Sequence, residues 1–325
     1  MDSAIFHHLT VFHAIAAEGS ITGAARRLEL GVPAISKSLK ALEAQAGLPL
    51  FHRTTRRLEI TEAGQMLRER TQDAVRQLDY AFESVQDLGH TPRGTVRITT
   101  ARFAYQWVLR PVLAAFRRAF PHIQLEISIA DATIDIIEQG FDLGIRFGDR
   151  LEEGMVARRL RPAMREGLYA SAAYAERHGL PRSPQELTQH HLVGYRFIAA
   201  NRMLPLILDQ DGQELVVDMP TSMVCNDIEV TADAIRQGLG IGRLFEPIHA
   251  ALPDRDAFLP VLQPHWRTYP PLYLYFPHNS QRAKRIRTVI DFLIEQHTGS
   301  FARQARGVGT GGGDILAVQP PGTVP

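Results

Sequence analysis

The sequence predicts an α+β chain of several domains, and three observations support this fold class. The chain has 325 residues, about twice a typical domain of roughly 150. Its first ninety residues show the apolar spacing of helices, whereas the remainder alternates between strand-like and helix-like segments. Hydrophobic residues make up 45% and charged residues 22% of the chain. Such a composition is typical of folded proteins and excludes a disordered chain.

The composition also excludes several classes of protein. The single cysteine, Cys225, excludes a disulfide framework within the chain and any multi-cysteine zinc or iron–sulfur site. The longest apolar runs, 112–116 and 272–276, have five residues, whereas a membrane span needs about 20. Residues 1–20 contain neither lysine nor arginine and no long apolar core, so no secretory signal is visible. We therefore expect a cytoplasmic protein.

The first sixty residues predict three helices. One face of the first helix carries apolar residues at steps of three and four: Ile5, Leu9, Phe12 and Ala16. This helix ends at Gly19, and Ser20 is placed to cap a short second helix. The third helix begins near Pro33, because proline suits the first helical position, and ends at about Ala46.

A small hairpin and a long helix follow. Two short alternating stretches, 50–53 and 57–60, predict the hairpin. From residue 61 to 88 the chain has no proline, and its seam recurs at alternating steps of four and three: Leu67, Thr71, Ala74, Leu78, Ala81, Val85 and Leu88. This heptad pattern predicts a long helix that pairs with the same helix of a second copy. Packing on its own domain is the alternative. Residues 89–94 predict a linker.

The nearly neutral total charge hides a basic segment. The chain has 36 basic and 35 acidic residues, a net charge of +1. Between residues 20 and 57, however, seven basic residues accompany two acidic ones, which makes +5. Two helices joined by the short turn 29–32 and followed by a hairpin are typical of a winged helix-turn-helix. The residues that we expect to contact DNA are Ser20, Thr22, Arg26, Val32, Pro33, Ala34, Ser36, Lys37, Lys40, Arg53, Thr54, Arg56 and Arg57.

The third helix divides into a core face and a DNA face. The core face, at helical spacing, consists of Ile35, Leu39 and Leu42. On the other face, small residues permit close approach to the major groove, while Lys37 and Lys40 neutralise phosphates. Arginines of the hairpin would contact the DNA backbone or the minor groove. A solvated basic face on an ordinary helical bundle is the alternative interpretation.

The remainder of the chain predicts open, mostly parallel sheets with helices on their faces. The predicted strands are 95–100, 124–130, 142–148, 155–160, 167–170, 192–197, 214–219 and 272–276. The predicted helices are 111–119, 134–139, 229–237 and 285–296. The last residues are rich in glycine and proline and cannot build a core, so we predict a disordered tail over 298–325.

Candidate ligand-binding residues lie at the ends of the predicted strands or directly after them. Open α/β sheets form their crevices at the carboxyl ends of strands, where the Thr100 hydroxyl, Arg102 and nearby amides would suit a carboxylate. Thr99 is either a ligand contact or a structural cap. Tyr195 and Phe197 wall the pocket or belong to the core. The full candidate set is Thr99, Thr100, Ala101, Arg102, Arg146, Phe147, Tyr195, Phe197, Cys225 and Asn226.

Structural roles compete with ligand binding at the other candidates. Arg146 either clamps an anion or pairs with Asp142 or Asp149. One of residues 226 and 227 caps the following helix, which leaves Asn226 as an effector candidate. We expect Cys225 to be a small buried apolar residue and not a redox sensor, because the chain holds no partner thiol.

The sequence shows neither a catalytic set nor a metal site. Its thirteen histidines include the adjacent pairs 7–8 and 190–191, which point in different directions and do not chelate. Neither H-E-x-x-H nor G-x-S-x-G occurs. We therefore predict no enzyme, no catalytic or metal-binding residue and no cofactor. The alternatives are an oligomeric ligand-binding α/β protein without a DNA function, and an enzyme.

The N-terminal motif resembles that of the LysR-type transcriptional regulator family. It comprises Leu28-x-Leu30-x-x-Pro33-Ala34-Ile35-Ser36-Lys37-x-Leu39-x-x-Leu42-Glu43, Gly47-x-x-Leu50-Phe51-x-Arg53-Thr54-x-Arg56 and Thr61-x-Ala63-Gly64. Together with the linker helix and the strand–helix alternation, the resemblance extends over residues 1–297. Val32 stands where family members often carry glutamine, and valine cannot hydrogen-bond to a base as glutamine could.

This resemblance implies a domain organisation and a function. The implied domains are a winged helix-turn-helix at 1–61, a linker and dimerisation helix at 62–90 and a two-lobed domain similar to periplasmic binding proteins at 91–297. Lobe I would comprise 91–162 and 266–297, and lobe II 163–265. The function implied is bacterial transcription regulation, in which a small effector, carboxylated if the arginine candidates bind it, modulates operator DNA binding. The resemblance further implies linker-helix homodimers, a homotetramer and a nucleoid-associated location.

Overall fold

The computed structural model describes residues 4–53, 58–86, 91–130, 136–137, 139–148, 155–197, 201–304 and 315–317. The chain divides into two compact units. Unit 1 comprises residues 1–90 and 282–284, and unit 2 comprises 91–281 and 285–325. None of the helices in the described part of the chain combines the length and the hydropathy that a membrane span requires.

Unit 1 has the predicted helices and hairpin. Its elements are α1 (Ile5–Glu18), α2 (Ile21–Arg27), α3 (Val32–Ala46), β1 (Phe51–Arg53), β2 (Leu58–Ile60) and α4 (Glu62–Gln86). Gly19 ends α1 with a φ of 62°, a left-handed conformation that suits glycine. The Ser20 hydroxyl caps α2 by accepting a hydrogen bond from the Gly23 N–H at 3.0 Å. The predicted end of the long helix, residues 87–88, lies outside the described residues.

The core of unit 1 joins α1, α2, α3 and the hairpin. Its largest buried side chains include Phe12 and Ile15 of α1 and Leu50, which precedes β1. The Phe12 ring lies 5.5 Å from the Phe51 ring, centroid to centroid. The predicted apolar face of α3 is inside, since Ile35 and its partners on that face are at most 3% exposed. Burial of this face fixes which side of α3 points to solvent.

Short contacts around Thr61 and Gly64 fix the start of α4 against the hairpin. The Thr61 hydroxyl donates to the Pro49 carbonyl at 2.8 Å and accepts from the Gly64 N–H at 3.0 Å. The Thr61 N–H donates to the Leu50 carbonyl at 3.0 Å. A Cβ atom on Gly64 would overlap that same carbonyl oxygen. The Thr-x-Ala-Gly motif therefore has a structural reason, because it caps the helix and permits close approach of the hairpin.

A partly buried histidine connects α1 to α4. His13 Nε2 lies 2.9 Å from the Thr71 hydroxyl. Burial, and to a lesser extent the nearby Arg68 charge, lower the pKa of His13 from 6.5 to about 4. The folded state therefore favours the neutral imidazole.

We expect unit 1 to lose stability as the pH falls from about 6.5 towards 4, because His13 binds a proton in the unfolded chain before it does so in the folded one. This contribution to the unfolding free energy is complete above pH 6.5. Urea unfolding followed by far-ultraviolet circular dichroism, at about pH 7 and about pH 5, measures it. In His13→Gln, where an amide replaces the titrating ring, the pH dependence should be flatter. Equal pH dependence in both proteins would contradict the assignment.

Unit 2 contains two α/β lobes. Lobe I begins with β3 (Gly94–Thr100), α5 (Arg102–Ala104), the π-helical turn Tyr105–Leu109, α6 (Leu113–Ala119), β4 (Ile123–Ile129), β5 (Leu143–Phe147) and β6 (Met155–Arg161). Lobe II follows with β7 (Met164–Ser171), α7 (Ala172–His178), β8 (Leu192–Phe197), β9 (Arg202–Met203), β10 (Leu206–Gln210), β11 (Gln213–Val217), β12 (Thr221–Cys225), α8 (Ile228–Arg236), β13 (Gly242–Phe245), α9 (Glu246–Ala250), β14 (Phe258–Val261) and β15 (Arg267–Tyr269). The chain returns to lobe I with β16 (Leu272–Pro277), α10 (Lys284–Gln304) and β17 (Ile315–Ala317). Short 3₁₀ turns occur at Pro184–Gln189, Arg255–Ala257, Gln263–His265 and Ser280–Arg282.

The prediction of mostly parallel sheets is wrong. In lobe I, β3 pairs in parallel with β4 and β5, but β16 is antiparallel to both β5 and β6. In lobe II, β8 and β12 are parallel, whereas β7 is antiparallel to β13, β14 and β15. Parallel pairing requires a crossover connection. The strand β16, which enters lobe I from lobe II, instead runs against its neighbours.

Two further expectations differ from the structure. Of the predicted helix 134–139, residues 136, 137 and 139 form turns, and the others lie outside the described residues. The disordered tail predicted over 298–325 is wrong for residues 298–304, which continue α10, and for β17, which pairs with β6. Residues 302–304 are good helix formers, so the helix does not end at the predicted boundary. The remaining tail residues lie outside the described ones.

Candidate ligand pocket and nucleic-acid interface

A cavity lies between the two lobes of unit 2. It encloses about 900 Å³ of space, part of which is open to solvent. The parallel pairing of β3 with β5 sets Thr100 beside Ile145, so the segments that follow them emerge at the same edge. Lobe I contributes Ala101, Arg102, Phe103, Arg146 and Phe147 to the lining. Lobe II contributes Glu166, Val193, Tyr195, Phe197, Leu204, Ile228, Thr231, Arg243, Phe245 and Tyr269.

Part of the predicted effector set lines this cavity and part does not. The lining residues are Ala101, Arg102, Arg146, Phe147, Tyr195 and Phe197. Four predicted residues are not part of the lining, and of these Cys225 is half-buried and Asn226 is exposed: Thr99, Thr100, Cys225 and Asn226. Both threonines are fully buried. The Thr99 hydroxyl accepts a hydrogen bond from Arg146 Nη2 at 3.1 Å, and the Thr100 hydroxyl donates to the Ala101 carbonyl at 3.3 Å. Thr99 therefore supports Arg146 from behind.

The segment before α8 supports the opposite wall. Cys225 Sγ lies 3.2 Å from the hydroxyl of Thr231, which lines the cavity. The Tyr195 hydroxyl donates to the Asn226 carbonyl at 2.8 Å. Asp227 is the residue that caps α8, because its Oδ1 accepts the Glu229 N–H at 2.8 Å. Residues 225 and 226 thus hold the cavity wall in place.

Arg146 is held rigidly at the end of β5. Its guanidinium is buried and donates to the Ile145 carbonyl at 2.9 Å and to the Ala130 carbonyl at 3.0 Å. Of the two carboxylates predicted as alternative partners, that of Asp142 accepts the backbone N–H of Arg97 at 2.9 Å, and Asp149 lies outside the described residues. The backbone and Thr99 therefore orient a positive charge at the cavity wall.

Four aromatic rings that meet between the lobes form the apolar wall. Phe103 stacks on Phe147 with ring centroids 5.0 Å apart, and it lies 4.6 Å from Phe245. Tyr269 lies 5.1 Å from Phe245, edge to face. Of these four aromatic residues, the sequence predicts only Phe147 as a site residue. Phe103 follows Arg102 directly, whereas Phe245 ends a strand that also holds Leu244, and Tyr269 ends the short strand Arg267–Tyr269; neither aromatic residue carries a sequence signal that separates it from core residues.

A buried charged group closes the lobe II side of the cavity. Arg243 donates to the Leu204 carbonyl at 3.0 Å and the Pro205 carbonyl at 2.8 Å, and its Nη1 lies 3.8 Å from Glu166 Oε2. Burial, followed by the nearby Glu166 charge, raises the pKa of Tyr269, whose hydroxyl donates to Glu166 at 3.3 Å. The sequence could have identified Arg243 as a site residue, because a charge inside an apolar strand is costly unless it is paired.

The charges of the lining favour an anion. Three arginines, Arg102, Arg146 and Arg243, and one carboxylate, Glu166, are among the described lining residues, and the Asp227 carboxylate pairs with Arg102 from outside the lining, so these groups leave one net positive charge. A guanidinium binds a carboxylate through two parallel hydrogen bonds. With the aromatic wall, the cavity is suited to a small anion with an apolar, planar body. Elsewhere, the described residues contain no group of three or more histidine, cysteine, aspartate or glutamate side chains that could hold a metal ion.

The outer face of α3 in unit 1 is a candidate nucleic-acid interface. Its exposed residues are Val32, Pro33, Ala34, Lys37 and Lys40, and Ser36 is half-buried beside them. The first turn of α3 carries no acidic residue, so the positive end of the helix dipole is available to a phosphate. Thr22 and Arg26 of α2 are also exposed, whereas Ser20 is half-buried as the cap of that helix.

The predicted wing contacts are only partly described. Arg53 is the last residue of β1. Thr54, Arg56 and Arg57 lie outside the described residues. The strands on either side pair in antiparallel register, with Phe51 opposite Ile60, so the hairpin that would carry these residues follows α3 as predicted.

Two family models match the sequence. Residues 6–65 match the bacterial regulatory helix-turn-helix protein of the lysR family, and residues 89–298 match the LysR substrate binding domain. The second match alone covers more than half of the chain. The chain belongs to the LysR family of transcriptional regulators.

Relatives and solved structures agree with this assignment. The regulator is 31% identical over 296 residues to the uncharacterized HTH-type transcriptional regulator YcaN of Escherichia coli K12, covering 91% of this chain and 95% of YcaN. The structure of CrgA, a LysR-type transcriptional regulator from Neisseria meningitidis, is 26% identical and has a TM-score of 0.56 over 91% of this chain and 99% of CrgA. Full-length AphB, the Vibrio cholerae virulence activator, shares the fold with a TM-score of 0.59 at 24% identity, over 90% of this chain and 99% of AphB.

Membership of this family indicates the general function of the protein. LysR-type regulators bind operator DNA and small effectors and form oligomers, and the relatives are named as transcriptional regulators. The protein is therefore a DNA-binding regulator with an effector-binding domain and not an enzyme.

Proposed function

We propose that the regulator binds operator DNA through α3, α2 and the hairpin, and that a small carboxylate with an aromatic body, bound between the lobes, modulates this binding. The main support for an aromatic carboxylate as the effector is the combination of three arginines with the aromatic wall around one cavity. The rigid support of Arg146 by Thr99 and the backbone favours a fixed anion over a diffuse one. The predicted DNA contacts, including those of the wing, belong to this proposal.

A thermal-shift screen of aromatic and aliphatic carboxylic acids tests the effector class, because a ligand that binds only the native state raises its melting temperature. We expect aromatic monocarboxylates to stabilise unit 2 and neutral isosteres, such as the corresponding amides, to have no effect. In Arg146→Gln, affinity for the acid should fall by roughly tenfold or more, since a hydrogen bond to a charged group contributes about 1.5–3 kcal/mol. Stabilisation by amides as large as by acids would overturn the proposed class.

A gel shift with DNA from upstream of the gene, repeated with the acid found in the screen, tests the regulatory link. The expected result is a sequence-selective, salt-sensitive complex whose affinity or mobility changes with the acid. A complex that does not respond to a bound acid would separate the pocket from regulation.

We further propose that α4 pairs with its copy in a homodimer, and that dimers form a homotetramer. The seam of α4 divides between two roles. At its beginning, Leu67 packs against the core of unit 1 and Thr71 bonds to His13. Further along, Leu78 and Val85, with Phe82 beside them, are 47%, 65% and 64% exposed. Both predicted uses of the helix are thus supported, each by a different part of the seam.

Charge placed on the exposed part of α4 is expected to dissociate the dimer. In Leu78→Glu/Val85→Glu, the two new carboxylates of one protomer would meet the same carboxylates of the other protomer across the heptad seam, where burial of an unpaired charge is costly. Sedimentation velocity at micromolar protein measures the loss of the larger species. Arg70→Ala, an exposed α4 residue outside the seam, serves as the control. An unchanged sedimentation profile of the seam variant would exclude α4 from the interface.

We place the regulator in the cytoplasm, at the nucleoid, because DNA binding requires access to the chromosome. We also propose a winged helix-turn-helix at 1–61, a linker helix at 62–90 and an effector domain at 91–297. The division of compact units at residues 90 and 91 supports the last boundary.

A further inference from the structure

Among the described residues, two polar contacts join the start of lobe I to α8 across the cleft. Arg102 Nε of α5 lies 3.2 Å from Asp227 Oδ2, and Gln106 Nε2, in the π-helical turn, donates to Glu229 Oε1 at 2.8 Å. Arg102 and Gln106 belong to lobe I, whereas Asp227 and Glu229 lie at the start of α8 in lobe II. One short segment of each lobe therefore provides both contacts.

Asp227 combines two functions in one carboxylate. Its Oδ1 caps α8 by accepting the N–H groups of Glu229 at 2.8 Å and Val230 at 3.4 Å. Its Oδ2 forms the ion pair with Arg102 of the other lobe. Asparagine is as good a helix cap as aspartate but carries no charge. The two functions can therefore be separated by a single substitution.

The cleft contacts and the cavity share residues. Arg102 lines the cavity while it pairs with Asp227, and Ile228, the next residue after Asp227, also lines it. Movement of the α8 start away from lobe I would therefore widen the cavity. An anion that binds Arg102 from inside the cavity competes with Asp227 for the same guanidinium.

We propose that Asp227 is a positioning residue of the proposed effector pocket. Together, the pairs Arg102–Asp227 and Gln106–Glu229 form an interlobe latch that keeps the ligand-free cleft closed. This inference rests on the proposed effector function of the cavity. The latch is weak enough for regulation, because partly exposed ion pairs change an equilibrium only a few-fold. The Phe103–Phe245 contact, which also joins the lobes, does not depend on charge.

Distances between spin labels on the two lobes, measured in full-length protein without effector, test the latch. The labels are attached in Arg118→Cys on α6 and Glu176→Cys on α7, both exposed, and every protein compared carries Cys225→Ser, so that any effect of this change on the cavity wall is common to all of them. We expect one dominant short distance in this protein. Asp227→Asn should increase the open-to-closed ratio by roughly two- to fivefold, and Gln106→Leu should increase it further in the double variant.

The matched control is Asp254→Asn. Asp254 pairs with Arg236 at 2.6 Å at similar exposure, but both residues lie within lobe II, so the interlobe distances should not change. Raising KCl from about 0.05 to about 1 M should open the cleft of the starting protein, because salt screens the Arg102–Asp227 ion pair. The distances in Asp227→Asn should stay nearly unchanged, because this variant has no such ion pair. Identical distances in all variants, or equal opening by Asp254→Asn, would overturn the latch.

The outcome is independent of the effector screen. If no acid binds, the proposed effector class fails while the distances still report whether the latch exists. If acids bind and the distances do not respond to Asp227→Asn, the pocket stands and the latch does not.

Discussion

Replacing Lys37 and Lys40 by alanine is expected to lower operator affinity by at least about a hundredfold, because each substitution removes a charged hydrogen bond to phosphate, with a typical contribution of about 1.5–3 kcal/mol. Both lysines lie on the exposed face, opposite the buried Ile35, Leu39 and Leu42. The dependence of affinity on salt should fall as well. The slope of log affinity against log salt should decrease by about two, which corresponds to two released phosphate contacts.

Fluorescence anisotropy with labelled operator DNA at several salt concentrations measures both effects. The control is Arg117→Ala/Arg118→Ala, which removes the same charge from exposed positions of α6 in unit 2. Only the α3 variant should change the slope. If the control weakens binding equally, net charge and not α3 would determine affinity, and the DNA face would have to lie elsewhere. Binding of the effector acid should be the same in all three proteins.

The second large effect is expected for Gly64→Ala, which should destabilise unit 1 by about 3 kcal/mol, at the upper end for overpacking of a well-packed site. The new Cβ would overlap the Leu50 carbonyl oxygen and would lie 2.8 Å from Ile60 Cγ1. The backbone of Leu50 cannot move freely, because its carbonyl also accepts the Thr61 N–H at 3.0 Å. For a unit of this size, the loss corresponds to more than about 10 °C in melting temperature.

The chain contains its own reference for this experiment. Both tryptophans, Trp107 and Trp266, lie in unit 2. Tryptophan fluorescence therefore follows unit 2 during heating, while far-ultraviolet circular dichroism also follows the helices of unit 1. Gly64→Ala should produce an early dichroism transition without a change in the fluorescence transition.

Gly47→Ala provides a matched substitution. A Cβ at Gly47 has no neighbour within 4 Å, but the φ of 70° is left-handed. It should therefore cost only about 1 kcal/mol. Gly64 is helical and has no left-handed φ, so a loss from Gly64→Ala no larger than that from Gly47→Ala would contradict the assigned overlap with Leu50.

The helices of unit 1 were predictable because their determinants are local. The Ser20 cap, the proline in the first turn of α3 and the glycine after α1 lie within a few residues of the helix ends that they define. The apolar spacing of α3 identified both its buried and its exposed face for the same reason. Such features need no knowledge of the rest of the fold.

The candidate pocket was predictable only where strand ends meet. Arg102 follows β3 and Arg146 lies near the end of the neighbouring parallel strand β5, and a general rule of α/β sheets brings such positions together. Glu166, Phe245 and Tyr269 could not be found in this way, because they come from antiparallel strands of lobe II. The same rule placed Thr99 and Thr100 in the pocket, although their alternating side chains point into the core.

By itself, the sequence determined the class of this protein: a basic helix-turn-helix, a long helix and an α/β domain, each encoded by local spacing, caps and charge. The tertiary structure alone decided which charges share the cavity, that the seam of α4 is partly buried at one end and exposed at the other, and that Asp227 reaches across the cleft to Arg102. The physical reason is distance along the chain. Asp227 and Arg102 are separated by more than a hundred residues, and only the folded lobes bring them within 3.2 Å.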